Sequence, residues 1–425
     1  MIPCEPCEGV PSVCTWSVTD DTQPEFDAGT LTSTTWVNGA LQIQTSGAAG
    51  EFISRTLDPN MPAAILRSFG WVPELPYQVA LPDDGGSSGY PGGSIDMSDN
   101  ILLFHFNAIA GDSLADGGRI SDTSGHGHHG LFVHTTPASA FASAPFADGA
   151  FVAFGDYVRI MDANSHPDFN FGTGDFSWSV WVKPKPCGGS TSDNNRIFLG
   201  GHRNRHYDLG GTEPANFNKP YLNFYGACSQ SCIGKAAIDI VDSNGKEQMV
   251  CSDITLSVDT WHHLAFVKAG HSHNNLTLFL DGVKYTTYAF NDTFTGDFNL
   301  TGGNSELRIA SFDYQDQPGA TFRTQVTIDE TAMWRHALSD AEVSSLYQRG
   351  RLRLRAQIER GAEFVGGDGT AGSFFDATTS PASGPPAFDV TALGIQGQTF
   401  RYKLFLDTDD PAITPRITSV TLRGD

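Results

Sequence analysis

The sequence predicts an all-β protein, and three observations carry that expectation. Forty-six glycines and 23 prolines punctuate the 425 residues. Between them Val, Ile, Thr, Phe and Tyr gather in short runs, and short β-branched or aromatic runs bounded by turn formers are the signature of strands. Many of these runs alternate apolar with polar residues, the period of a strand that buries one face. Only one stretch carries both the start and the stop signals of a helix.

The elements follow in chain order. Glu25 to Ile43 (EFDAGTLTSTTWVNGALQI) and Gly50 to Asp58 (GEFISRTLD) are strand-like. A Gly/Ser/Pro-rich link, Pro82 to Asn100, comes next, and such a composition joins domains rather than packing in a core. Further strands are expected at Ile101–Phe106, Phe151–Ile160, Asp175–Pro184, Trp261–Gly270, Leu276–Tyr285 and Glu306–Ser311. The helix follows, from Asp340 to about Gln348: Ser339 and Glu342 form a capping box and Gly350 stands past the last turn. Arg351–Ile358, Phe400–Asp410 and Ile417–Gly424 read as strands again. Neither flank alone has enough strands for a sandwich, but the two together do. The expected organisation is a Cys-containing segment at 1–14, an outer β-sandwich formed discontinuously by 15–90 and 351–425, a linker at 91–99, and a central domain at 100–350.

A formal net charge of −22 opposes the phosphate backbone and anionic membranes alike, which argues against a nucleic-acid or peripheral-membrane role. Only 12 of the 48 acidic residues are glutamates; short carboxylates on glycine-rich loops suit turns and hard cations. Of seven cysteines, Cys4, Cys7 and Cys14 stand at the start, and Cys187, Cys228, Cys232 and Cys251 in the middle. The middle four are the disulfide candidates, with three possible connectivities, and suit an oxidising compartment. No stretch approaches the ~18 apolar residues of a membrane helix, so no membrane insertion is expected. The start MIPCEPCEG lacks the regions of a signal peptide, so an exported protein implies a removed leader.

Ile120 to Gly130 (ISDTSGHGHHG) concentrates one carboxylate with His126, His128 and His129. Zinc is the first reading, since imidazole is the commonest metal ligand. It is set aside here: the glycines exclude the helix that places two histidines one turn apart, and no cysteine or glutamate stands nearby to complete a ligand set.

In order, D-T-S-G-x-G-x-x-G (Asp122–Gly130), F-G-D-Y-V, F-S-W-S-V-W-V, W-H-H-L-A-F-V, L-F-L-D-G-V and I-D-E followed by A-L-S-D-A-E-V resemble the laminin-G-like domains of the concanavalin A-like jelly-roll superfamily. The resemblance spans roughly 250 residues and departs from a minimal member between Cys187 and Cys251. It implies a concanavalin A-like jelly-roll sandwich, and a structural calcium held by Asp122 and Asp329 with Ser124 and the carbonyls near His126. The residues alone leave open an Asx-turn that only hydrogen-bonds its own backbone. The flanks resemble the halves of a β-sandwich module of large bacterial surface proteins into which a laminin-G-like domain is inserted.

Catalytic patterns are missing from the sequence. Glycosidases of this fold use two carboxylates about 5 to 9.5 Å apart, usually from an E-x-D-x-x-E strand, and none occurs. The G-x-S-x-G match at Gly85–Gly89 lies in the link, and the G-x-G-x-x-G at Gly125–Gly130 precedes no helix. Trp178 and Trp181 should face opposite sides of one strand, Trp261 and Trp334 read as core, and Tyr221, Phe224 and Tyr225 are candidates for stacking on a sugar ring. The expectation is a non-enzymatic, extracellular or cell-surface binding or adhesion protein for a glycan or surface protein. The alternatives are a structural subunit of a surface filament, self-associating through the N-terminal segment, and a divergent glycoside hydrolase.

Overall fold

A computed structural model describes residues 15–44, 47–83, 95–133, 139–152, 156–160, 167–185, 199–200, 221–225, 235–241, 247–271, 275–286, 288–290, 297, 307–310, 326–379 and 384–425. The protein is all-β: every sheet pairing among the described residues is antiparallel. Two compact units divide the chain, Met1–Val79 with Ser88–Ser94 and Gln348–Asp425, and Ala80–Ser87 with Ile95–Tyr347.

The first unit interleaves both ends of the sequence. In one sheet Arg416–Gly424 pairs with Trp16–Asp20, Ala40–Ile43 and Ala64–Pro73. In the other, Tyr402–Thr408 lies between Ala49–Ile53 and Leu352–Arg360. Both sheets feed one core that includes Leu41, Phe52, Phe69, Trp71, Leu354, Leu404 and Val420, so the unit is a β-sandwich. Strict alternation in Tyr402–Thr408 sends Tyr402, Leu404 and Leu406 inward. The central strand Ala64–Pro73 escaped the sequence reading, its polar positions Arg67 and Ser68 breaking up an alternating apolar run. Gln23–Asp27 is a short helix rather than the start of a strand; the Glu25 carboxylate accepts from the Thr22 N–H at 3.0 Å, the reach-back of a capping box. A buried carboxylate also marks this core. Asp20 accepts from the Tyr402 hydroxyl at 2.8 Å and the Arg55 Nε at 3.0 Å.

In the second unit the main sheet orders Ala140–Ala144, Ala147–Val152, Val326–Trp334, Phe176–Pro184, His262–Lys268, Leu276–Leu280 and Val283–Tyr285, with Asn100–Phe104 also on Val326–Trp334. Its central strands are buried on both faces. Leu102, Phe104, Leu264, Phe266, Leu278 and Met333 point into the inner core, while Leu103, Ala265, Val267, Phe279 and Trp334 meet Leu338, Val343 and Leu346 of the helix. Strands buried on two faces lose the apolar/polar contrast and become continuous apolar runs, as in ILLFHF. A second sheet places Tyr157–Ile160 between Gly130–Val133 and Leu307–Ile309, and a third carries Tyr221–Tyr225, Lys235–Val241 and Glu247–Thr255.

Several boundaries differ from expectation. Residues 80–83 belong with the central unit rather than the outer one, because Leu81 packs in the helix-side core and its N–H donates to Glu330 at 2.9 Å. Ile95 and Met97, inside the expected linker, are buried in the same core. The helix runs Asp340–Arg351, through Gly350, with its capping box in place: Glu342 accepts from the Ser339 N–H at 2.8 Å. Trp178, Trp181 and Trp334 are core, but Trp261 is only half-buried.

Candidate functional site

The glycine turn folds around Asp122. Its Oδ1 accepts from the N–H of Leu103 at 2.9 Å and of Ser124 at 3.0 Å; its Oδ2 accepts from the Ser124 hydroxyl at 3.0 Å and the His128 N–H at 2.8 Å. This is an Asx-turn that also clasps the neighbouring strand. Four donors occupy a carboxylate with about four lone-pair directions, so a calcium ion here would have to displace protein donors. Ser124 Oγ, the second expected ligand, in turn accepts the His126 N–H at 3.3 Å.

Asp329, the other expected calcium carboxylate, lies in the terminal strand and is fully buried. It accepts from the N–H of Glu330 at 2.9 Å and of Phe146 at 3.2 Å, whereas Asp122 accepts from Leu103, Ser124 and His128. Burial, and then the charge of Glu330, push its carboxyl well above the usual carboxylate range. A bulge shapes this place: Ser179 faces Ala332 but Trp181 faces Asp329, so Glu330 and Thr331 together oppose Val180. Glu330 takes the left-handed φ of 45°, a strain of about 1–3 kcal/mol for a residue with a side chain. The bulge releases its carboxylate to the N–H of Leu81 and to His105 Nδ1. Nε2 of His105 stands 3.0 Å from Asp83. Burial alone would lower this imidazole; the Glu330 charge and hydrogen bonds to Asp83 and Glu330 outweigh it and hold the pKa up to about 10.

The histidines of the turn take different places. His129 receives the Asp122 N–H at 3.1 Å and faces the Arg119 guanidinium at 2.9 Å. His126 Nδ1 and His128 Nε2 instead converge on Oδ2 of Asp168, at 2.8 and 3.0 Å. Gly125 and Gly127, with φ of 87° and 78°, supply the left-handed turns that bring ring i and ring i+2 together. Sequence reasoning missed Asp168, His105 and Asp83. Only the Pro167-Asp168 pair, a turn signal, marked the first.

Of the remaining candidates, Tyr221, Phe224 and Tyr225 are on one strand, their side chains outside the described residues. Cys251 is buried and disulfide-bonded; Cys187, Cys228 and Cys232 lie outside the described residues. Among the described residues, no helix is long and apolar enough to cross a membrane.

Residues 155–344 match the family model of the concanavalin A-like lectin/glucanases superfamily, in its laminin G type. The central unit carries a laminin-G-like domain. Asp329 and Glu330 of this laminin-G-like domain fall inside the matched region, whereas the Asp122 turn precedes it. No curated protein matches the chain. Among solved structures, domain 4 of an extracellular arabinanase from Geobacillus stearothermophilus, in complex with arabinotriose, is similar at 18% identity and a TM-score of 0.38, over 59% of this chain and 98% of that one. The botulinum neurotoxin serotype G binding domain is similar at 15% identity and 0.37, over 61% and 56%. A Trypanosoma rangeli sialidase mutant gives 10% and 0.36, over 60% and 34%. The chain thus spans about half of the second and a third of the third.

Proposed function

We propose that the protein is a non-catalytic, extracellular or cell-surface binding or adhesion protein that uses its laminin-G-like domain to recognise a glycan or a surface protein. The observation that carries this reading is the state of the terminal-strand carboxylates. Two-carboxylate hydrolysis needs both groups facing a substrate cleft. Asp329 is 0% and Glu330 3% exposed, and their oxygens meet Phe146, Glu330, Leu81 and His105. They serve the fold. Recognition then falls to loops, with Tyr221, Phe224 and Tyr225 proposed as the stacking positions. A structural calcium at Asp122, Ser124, His126 and Asp329 belongs to the same reading, at the cost of the donors those carboxylates now hold.

The test is a glycan array probed with the full chain, with and without chelator, alongside a hydrolysis assay on the glycans retained. Retention without turnover, weakened by Tyr221→Ala, Phe224→Ala or Tyr225→Ala, is the expected outcome. Turnover that Glu330→Gln abolishes would replace the binding reading with the glycoside hydrolase.

A further inference from the structure

We infer that His126, His128 and Asp168 form a binding site for a divalent transition metal of the zinc class. Among the described residues these three are the group of metal-ligating side chains whose donor atoms converge, Nδ1, Nε2 and one carboxylate oxygen all lying within 4.8 Å of one another. A tetrahedral zinc with bonds of about 2.0–2.1 Å sets its ligand atoms about 3.3 Å apart. The two histidine-to-Asp168 separations, 2.8 and 3.0 Å, need only a small expansion to admit the ion.

The donor chemistry selects the metal. Two imidazoles and one carboxylate suit zinc and its neighbours, whereas calcium asks for six to eight hard oxygens. Each imidazole that now donates an N–H to Asp168 would carry its single proton on the far nitrogen once the near one takes the metal. Three protein ligands leave the fourth position to water or to an incoming group. His126 is 39% exposed and Asp168 19%, so that position opens to solvent, while His128 is 2% exposed and forms the floor.

Both halves of the site are held from outside it. The Asp122 carboxylate fixes the His128 N–H, and the Ser124 hydroxyl the His126 N–H. Asp168 sits in the short 3-10 turn Pro167–Phe169, whose Pro167 carbonyl accepts from Arg335 at 2.6 Å, with the Asn170 carbonyl just beyond it accepting at 3.1 Å. Phe169 packs against the inner core and its ring lies 4.7 Å from that of His128. Partners of this kind orient ligands before the ion arrives.

The test is a titration of the metal-stripped full chain with Zn²⁺ by calorimetry and with Co²⁺ by visible absorption, which reports tetrahedral coordination. His126→Ala and Asp168→Asn alter accessible positions; His129→Ala is the control, and circular dichroism checks that each variant folds. A tight site weakened at least about 100-fold by each of the two variants, the upper end of what losing even an outer partner costs, and unchanged in the control, is the expected result. No saturable binding, or binding retained in either variant, overturns the site.

Discussion

Glu330 and His105 meet inside the central unit across 225 residues of sequence, and Asp83 closes the far side of the same ring. An imidazolium between two carboxylates is charged in the folded state. Because the folded pKa, about 10, lies above the ordinary value of about 6.5, its contribution is complete below pH 6.5 and fades as pH rises toward 10. The stability difference between wild type and His105→Gln, from urea unfolding at several pH values, should shrink over that window. A difference constant from pH 6 to 10 would show that the charge does not contribute.

Removing the Asp122 carboxylate strands the N–H groups of Leu103 and His128. Each buried donor left without an acceptor costs about 1–3 kcal/mol, so Asp122→Ala should lose at least about 2 kcal/mol. If the turn is stabilised by these hydrogen bonds alone, thermal melts show the same loss in calcium and in chelator. If the proposed calcium holds it, chelator lowers the wild-type midpoint and leaves the variant's unmoved.

The Ser339 hydroxyl accepts from the Glu342 N–H at 3.3 Å, opening the helix that covers the main sheet. Ser339→Ala should cost about 1 kcal/mol, as losing an N-cap generally does. Denaturant unfolding followed by tryptophan fluorescence reads it, and an unchanged midpoint would place the helix start elsewhere.

Tyr402–Thr408 separates Ala49–Ile53 from Leu352–Arg360 within one sheet. Deleting residues 352–425 should therefore unfold the N-terminal flank, which limited proteolysis would detect as cleavage within 15–79. A protease-resistant N-terminal fragment would show that this flank folds without its partner strands.

Strand periodicity was legible in the sequence because it is local: the alternation of Tyr402, Leu404 and Leu406 needs only the pleat. The capping box at Ser339 and Glu342, three residues apart, was equally plain. So was the tight turn at Asp122, where a short carboxylate meets backbone two and six residues on. Its role as ligand or turn former was not, since nothing local says which donors reach the carboxylate. The zinc reading of His126 and His128 was set aside for want of a helix and of a nearby cysteine or glutamate. Glycine φ values above zero replaced the helix, and Asp168, 40 residues beyond His128, supplied the carboxylate. That convergence depends on Phe169 packing in the core and Arg335 holding the turn. Likewise Glu330 reaches His105 through a bulge that exists only where Val326–Trp334 pairs with Phe176–Pro184. Contacts made across the fold leave no period in the chain, so only the tertiary structure decided them.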